Sequence, residues 1–352
     1  DTVFTISVSS AGVVTLDQAR AVMHADGSNA NDTVALAANS ISLTATATDK
    51  DGDKATQTVN LGAGFVFTDD APTVTATASN VTTLTVDETT LATNASASFA
   101  NVFTVNYGAD GAGSTAYALA VVNAASGLVD TATGQAVSMS VDASGNVVGK
   151  NTNGDTVFTI SVSSAGVVTL DQVRAVMHAD GSNANDTVAL AANSISLTAT
   201  ATDKDGDSAS QTVNLGAGFV FTDDAPTVTA NAANAATLTV DETTLATNAS
   251  ASFANVFSVN YGADGAGSTA YALKVVTAAS GLVDTATGEA VTMSVDASGN
   301  IVGKTATSGA TVFTISVSAS GVVTLDQARA VQHSDGSNAN DTVALAANSI
   351  SL

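Results

Sequence analysis

Residues 1–43, DTVFTISVSSAGVVTLDQARAVMHADGSNANDTVALAANSISL, return almost unchanged from Asp155 and a third time from Ala310. Aligning 1–150 with 155–304 leaves thirteen substitutions, most of them mild: Val147 becomes Ile301, Gln135 becomes Glu289 and Thr56 becomes Ser210. Whatever one copy folds into, its neighbour folds into as well, so the chain reads as an array of like units. A catalytic domain gains little from near-verbatim copying, whereas a spacer gains length with each copy.

The phase of the array is set by FVFTDDAPTV, which ends at Val74 and again at Val228. Pro72 and Pro226 lack the amide that a strand inside a sheet must donate, and they hold the preceding residue extended, so Asp-Asp-Ala-Pro marks a linker. The expected division is a C-terminal part of a repeat (1–70), a complete unit (71–224) and a unit lacking its final segment (225–352). A chain that begins and ends in mid-repeat is expected to be a window on a longer array, with end sheets that need a neighbour.

Within the unit the pattern is antiparallel sheet. Segments 2–9, 40–48, 55–60, 99–106, 115–122, 136–141 and 146–150 are short, rich in Val, Thr, Ile, Phe and Tyr, and separated by Gly, Asn and Asp. VDASGNVV at 141–148 reads as a hairpin, and 41–61 as two strands joined by an acidic turn. Helical turns are expected at LDQARAV (16–22) and LDQVRAV (170–176), and at DETTLAT from Asp87. Phe4, Phe65, Phe67, Phe99 and Phe103 are expected in the core. The fold class is therefore all-β: tandem antiparallel β-sandwiches, immunoglobulin-like or elaborated, in an elongated array. A repeat of this length exceeds a minimal immunoglobulin-like sandwich of about 100 residues, which leaves one enlarged sandwich or two small ones.

Charge narrows the function classes. Nine Lys plus Arg against 32 Asp plus Glu give a net charge of -23, with only 12% of residues charged and 45% hydrophobic. That hydrophobic content is too high for an acidic disordered tail. With no basic stripe, binding to nucleic acid or an anionic membrane is not expected. No apolar run approaches the roughly 20 residues of a membrane-spanning helix, and no basic leader precedes an apolar segment, so neither membrane insertion nor a signal peptide is expected in this stretch. The absence of Cys excludes a disulfide framework and thiolate chemistry.

The most informative motif is TDKDGD, with Asp49, Asp51 and Asp53 in one copy and Asp203, Asp205 and Asp207 in the next. Carboxylates at alternate positions around a glycine turn can direct their oxygens at one hard cation such as Ca2+; the alternative is an acidic turn that is simply solvated. The helix-loop-helix calcium motif needs a Glu at loop position 12; counted from Asp49 that position is Asn60, and the flanks are strands, so this is another kind of loop. Without an ion such a turn repels itself and loosens. In an immunoglobulin-like sandwich the last hairpin lies at the end where the chain enters. Asp203, Asp205 and Asp207 are therefore expected near the linker pair Asp69 and Asp70, and near Asp87 and Glu88. The next junction would group Asp223, Asp224, Asp241 and Glu242, with that unit's own acidic turn beyond Leu352.

Other candidates are weaker. His24, His178 and His333 recur once per unit and are expected as surface or turn residues; the metal alternative sets the histidine beside Asp26 and Asp32. Arg20, Arg174 and Arg329 are expected to pair with a local carboxylate or cap a turn. YGADGAGST at 107–115 and 261–269 has no phosphate-binding lysine, although Asp110 and Asp264 are candidate calcium ligands. No nucleophile elbow or Ser, His and Asp set is assembled, so an enzyme is not expected.

The runs LTVDETTLATNASASF, YGADGAGSTAYALAV, SGLVDTATGQAV, FTISVSSAGVVTLDQARAVMH, ISLTATATDKDGD and FTDDAPTV together resemble the long repeat of giant bacterial RTX adhesins secreted by type I secretion. The resemblance covers the whole chain. It implies a tandem extender of calcium-binding, immunoglobulin-like sandwiches on the bacterial cell surface, folding outside the cell and supporting biofilm adhesion by holding a distal ligand-binding domain. The glycine-rich RTX nonapeptides are absent from this stretch. The expected partners are adjacent repeats of the same chain, and the expected solution state is a monomer. The alternatives are a subunit of an extracellular filament or surface layer and a carbohydrate- or surface-binding module.

Overall fold

Strand formation follows from the alternation of small β-formers. In Thr156–Val162 and Val167–Gln172, the residues Val168, Leu170 and Gln172 bury one face while Val167, Thr169 and Asp171 lie on the other. The computed structural model describes residues 1–338 and 340–352. These fall into two compact units, Asp1–Ala225 and Pro226–Leu352. Residues 1–70 belong to the first unit together with the complete repeat.

The complete repeat is built on a six-stranded antiparallel sheet in the order Ala125–Asp130, Gln135–Val141, Val147–Lys150, Thr156–Val162, Val167–Gln172 and Ala95–Ser98. Facing it are a sheet of Ala112–Val121, Ile195–Asp203 and Ser208–Asn214, and another of Thr187–Ala189, Phe219–Thr222 and Leu84–Asp87. Both layers feed one continuous core from Leu84 to Phe221, in which the Phe158 and Phe221 rings meet at 5.6 Å. The repeat is thus one enlarged sandwich rather than two small ones. Phe65, Phe67, Phe99 and Phe103 are buried as expected, and Phe4 is half-buried against Phe67.

Two local expectations are corrected. Leu-Asp-Gln at 16–18, 170–172 and 325–327 continues a strand instead of opening a helical turn, because its period-2 pattern places Leu170 and Gln172 on the buried face. The sheet is also not wholly antiparallel: Phe219–Thr222 runs parallel to Leu84–Asp87, a pairing that the long intervening chain permits. DETTLAT does form a single 3-10 turn, Glu88–Thr90, whose first amides are capped by Asp87 accepting from Thr89 N at 2.8 Å.

The segment preceding the complete repeat carries the hairpins Phe4–Val8/Val14–Gln18 and Ser42–Thr48/Lys54–Asn60 and the pair Thr33–Ala35/Val66–Thr68. The second unit repeats the six-stranded sheet in the same order, from Ala279–Val283 to Ala249–Ser252, around Met293, Ile301, Val312 and Phe313. A cavity of about 1310 Å³ lined by Leu238, Phe253, Val312, Val323 and Leu352 opens in this unit beside the sheet.

Candidate metal centre

Within the first unit, the acidic turn of the complete repeat packs against the loops of the preceding segment. The turn joins Ile195–Asp203 to Ser208–Asn214, and its shape is set by Asp203 N donating to Asp207 O at 3.0 Å and Gly206 N donating to Asp203 Oδ1 at 3.1 Å. Gly27 of the preceding segment lies against the backbone of Gly206 so closely that a Cβ would stand 2.9 Å from the Gly206 carbonyl carbon. That approach carries His24 N to within 3.3 Å of Asp205 Oδ2, which accepts its hydrogen bond.

Asp69 is the hub. Its Oδ1 accepts from Asp70 N at 2.9 Å and lies 3.1 Å from His24 Nδ1. Asp70 Oδ2 accepts from Ala109 N at 3.0 Å, which fixes the 107–111 loop and with it Asp110. Ligand atoms of Asp69, Asp70 and Asp110 all lie within 4.8 Å of one another, as do those of His24, Asp69 and Asp205. Asp207 faces Asp69 within hydrogen-bonding reach.

Asp69, Asp70, Asp110, Asp203, Asp205 and Asp207 therefore converge, and among the described residues no Lys or Arg forms an ion pair with any of them. Burial, with Asp70 and then Asp205 and Asp69 adding to it, pushes the Asp110 carboxyl up to about 6. Burial and the Asp69 carboxylate push Asp207 up to about 6 as well, and burial raises Asp203. Asp110 Oδ2, Asp203 Oδ2, Asp205 Oδ1 and Asp207 Oδ2 are buried without a hydrogen-bond partner. Buried oxygens of one charge sign, lacking donors, are what a divalent ion with six to eight oxygen ligands satisfies.

The first copy of the motif meets no preceding repeat within residues 1–352. Asp49, Asp51 and Asp53 form a cluster that is exposed throughout, with Asp49 Oδ1 accepting from Gly52 N and Asp53 N. The side chain of Asp51 and the backbone amide of Asp53 lower the Asp49 pKa.

Asp87 and Glu88 do not join Asp69 and Asp70. The parallel register pairs Asp87 with Thr222, which carries Glu88 to the Asp223 end of the repeat. There Glu88 is buried, and its Oε1 accepts from Gln172 Nε2 and Val176 N, both at 2.8 Å, beside His178 and Asp223. Asp224 N is held by Asp223 Oδ1 at 2.9 Å. In the second unit, Asp241 caps Thr243 and the Glu242 carboxylate accepts from Gln327 Nε2 and Val331 N, 3.6 Å from His333 Nε2. Glu242 thus takes the same two donors as Glu88, although its side chain is 30% exposed.

His24 is the residue that sequence reading misplaced. It is 7% exposed, its Nε2 lies 3.3 Å from Phe67 O, and the carboxylates within 4.0 Å of its ring are those of Asp69 and Asp205, with Asp32 interacting only through its charge from further off. The signal available was the constant separation of His24 from Asp69 and of His178 from Asp223. Arg174 and Arg329 do pair with carboxylates, but with distant ones: Arg174 makes a two-pronged contact to fully buried Asp130 at 2.8 and 3.0 Å, and Arg329 does the same to Asp284. Arg174 holds the Asp130 carboxyl down at about 2.

No curated protein matches the sequence. Two solved structures share 16% and 17% identity with it. One is the crystal structure of a tetra-tandem repeat in the extending region of a large adhesion protein, with a TM-score of 0.13; the match covers 87% of this chain and 64% of that one. This chain thus spans less than two thirds of the length of that structure. The other is a Ca2+-stabilized adhesin that helps an Antarctic bacterium reach out and bind ice, with a TM-score of 0.12 and coverage of 92% and 80%. A family model, Domain of unknown function (DUF5801), matches residues 1–62, 83–216 and 237–352, and the chain belongs to that family.

Proposed function

We propose that this chain is a structural extender of a large secreted bacterial surface adhesin, in which Ca2+ bound where consecutive repeats meet stiffens the array into a rod that carries a distal adhesive domain. The observation that carries the reading is the convergence of six carboxylates, four of them with buried and partnerless oxygens, where the 1–70 segment meets the complete repeat. Asp69, Asp70 and Asp110 would supply one face of the ion's oxygen shell, and Asp203, Asp205 and Asp207 the other. Bound calcium supplies the positive charge that lets these carboxylates approach; the chain's contribution is to present them from two successive repeats.

On this reading the array works outside the cell, where millimolar calcium matches the roughly 10⁻⁴–10⁻³ M affinities of extracellular calcium modules. Its partners are neighbouring repeats of the same chain, it is monomeric in solution, and it has no catalytic role. Export by type I secretion and a part in biofilm adhesion belong to the same proposal. Small-angle X-ray scattering of the 352-residue chain in millimolar calcium and then in excess chelator tests it. A monomer with a sharp maximum dimension in calcium that broadens in chelator supports the extender. A profile indifferent to calcium overturns it, and calcium-driven growth into assemblies would favour a filament subunit.

A further inference from the structure

The histidine at the junction is not used by a purely oxygen-liganded calcium site. Nε2 of His24 can bond to the Phe67 carbonyl only as the donor, at 3.3 Å, which fixes the proton on that nitrogen and leaves Nδ1 facing the carboxylates. Nδ1 is buried and has no hydrogen-bond partner, although Asp69 Oδ1 lies 3.1 Å away and Asp205 Oδ2 lies 4.0 Å away. The nearer oxygen sits off the direction a Nδ1 proton would take. Ligands around a shared ion stand in that relation, displaced from each other's lone-pair axis. Donors about 2.0–2.2 Å from a tetrahedral ion are separated by roughly 3.3 Å, close to the His24 to Asp69 spacing.

The arrangement occurs twice. His178 Nε2 lies 3.2 Å from the Phe221 carbonyl, and its buried Nδ1, again without a hydrogen-bond partner, faces Asp223 Oδ1 at 3.6 Å with Glu88 in the same group. His333 is about a third exposed beside Glu242, and residues 1–352 do not include its counterparts of Phe221 and Asp223, so it lacks the carboxylate that completes the other two groups.

We propose that His24 with Asp69 and Asp205, and His178 with Asp223 and Glu88, are sites for a borderline transition cation of the Zn2+ class. An imidazole nitrogen selects such ions, whereas carboxylates alone favour calcium. The His24 site shares Asp69 and Asp205 with the calcium reading but needs a nitrogen donor that calcium does not.

The test uses the 352-residue chain held in millimolar Ca2+ and titrated with Co2+ as a spectroscopic stand-in, followed by displacement with Zn2+. The expected result is intense visible bands of low-coordinate cobalt, saturating at two equivalents. H24Q and H178Q should each remove one equivalent, and H333Q neither. Cobalt bands that survive both substitutions, or no transition-metal uptake in the presence of calcium, overturn the proposal. Should either variant fail to fold by circular dichroism, cobalt-induced paramagnetic shifts of the His24 and His178 ring protons in the unsubstituted chain support the same two sites, and unshifted ring protons overturn them. A separate calcium isotherm keeps the two readings apart: calcium bound without cobalt sinks this inference alone, and cobalt bound without calcium sinks the extender mechanism alone.

Discussion

Asp207→Asn should change the sign of its effect with calcium. The Asp207 side chain is buried, 2% exposed, with a partnerless Oδ2, and its carboxyl is pushed from an ordinary 3.8 to about 6 by burial and by Asp69. At 1.36 kcal/mol per pKa unit, holding it ionised at neutral pH costs the cation-free fold on the order of 2–3 kcal/mol. Asn keeps the shape, removes the charge and can donate to Asp69. In chelator at pH 7 the variant should therefore be more stable than the parent, with the first unit's melting transition raised by roughly 5–10 °C. In millimolar calcium the same change removes an anionic ligand, so the order should reverse and calcium affinity should fall. Differential scanning calorimetry in both buffers measures the two differences. Destabilisation by a similar amount in both would refute the argument, since it would mean that Asp207 is a structural acceptor and not a charge waiting for a cation.

Four further outcomes are expected. Because the folded-state values of Asp110 and Asp207 lie above their unfolded ones, their contribution favours the fold below about pH 4 and is lost as pH rises towards about 6; chelated protein should lose first-unit stability across that window, and calcium should flatten the curve. Arg174→Met strands the fully buried Asp130 carboxylate and should cost about 3–5 kcal/mol in urea denaturation at pH 7, with or without calcium. Gly108→Ala places a methyl group on the Asp70 carboxylate at a backbone φ of 71°, so calorimetric titration should show weakened calcium binding while the six-stranded sheet persists by circular dichroism. Asp51→Asn, in the exposed copy of the turn, should move stability by no more than about 0.5 kcal/mol in either buffer, which makes it the control for Asp207→Asn.

Much of the architecture was legible because it is written in short-range chemistry. The duplication, the strands and the turn at 203–207 follow from repetition, alternation and glycine placement, and the Asp-Asp-Ala-Pro linker from the missing proline amide. The misreadings share one cause. Leu-Asp-Gln looks like a helix start until the sheet gives its alternate residues a buried face. Glu88 looks like a partner of Asp69 until a parallel pairing, joining residues more than a hundred positions apart, delivers it to Asp223 instead.

TDKDGD marks the division most clearly. By itself the sequence determined a glycine turn carrying three carboxylates, and it wrote that turn identically at 48–53 and 202–207. The fold supplied what surrounds the second turn: its carboxylates are closed in by Gly27, His24 and the linker aspartates of the preceding segment, neighbours that the 48–53 turn does not have within residues 1–352. Charge repulsion and metal affinity depend on how many carboxylates share how little water, and that is a property of the packed neighbour rather than of the motif.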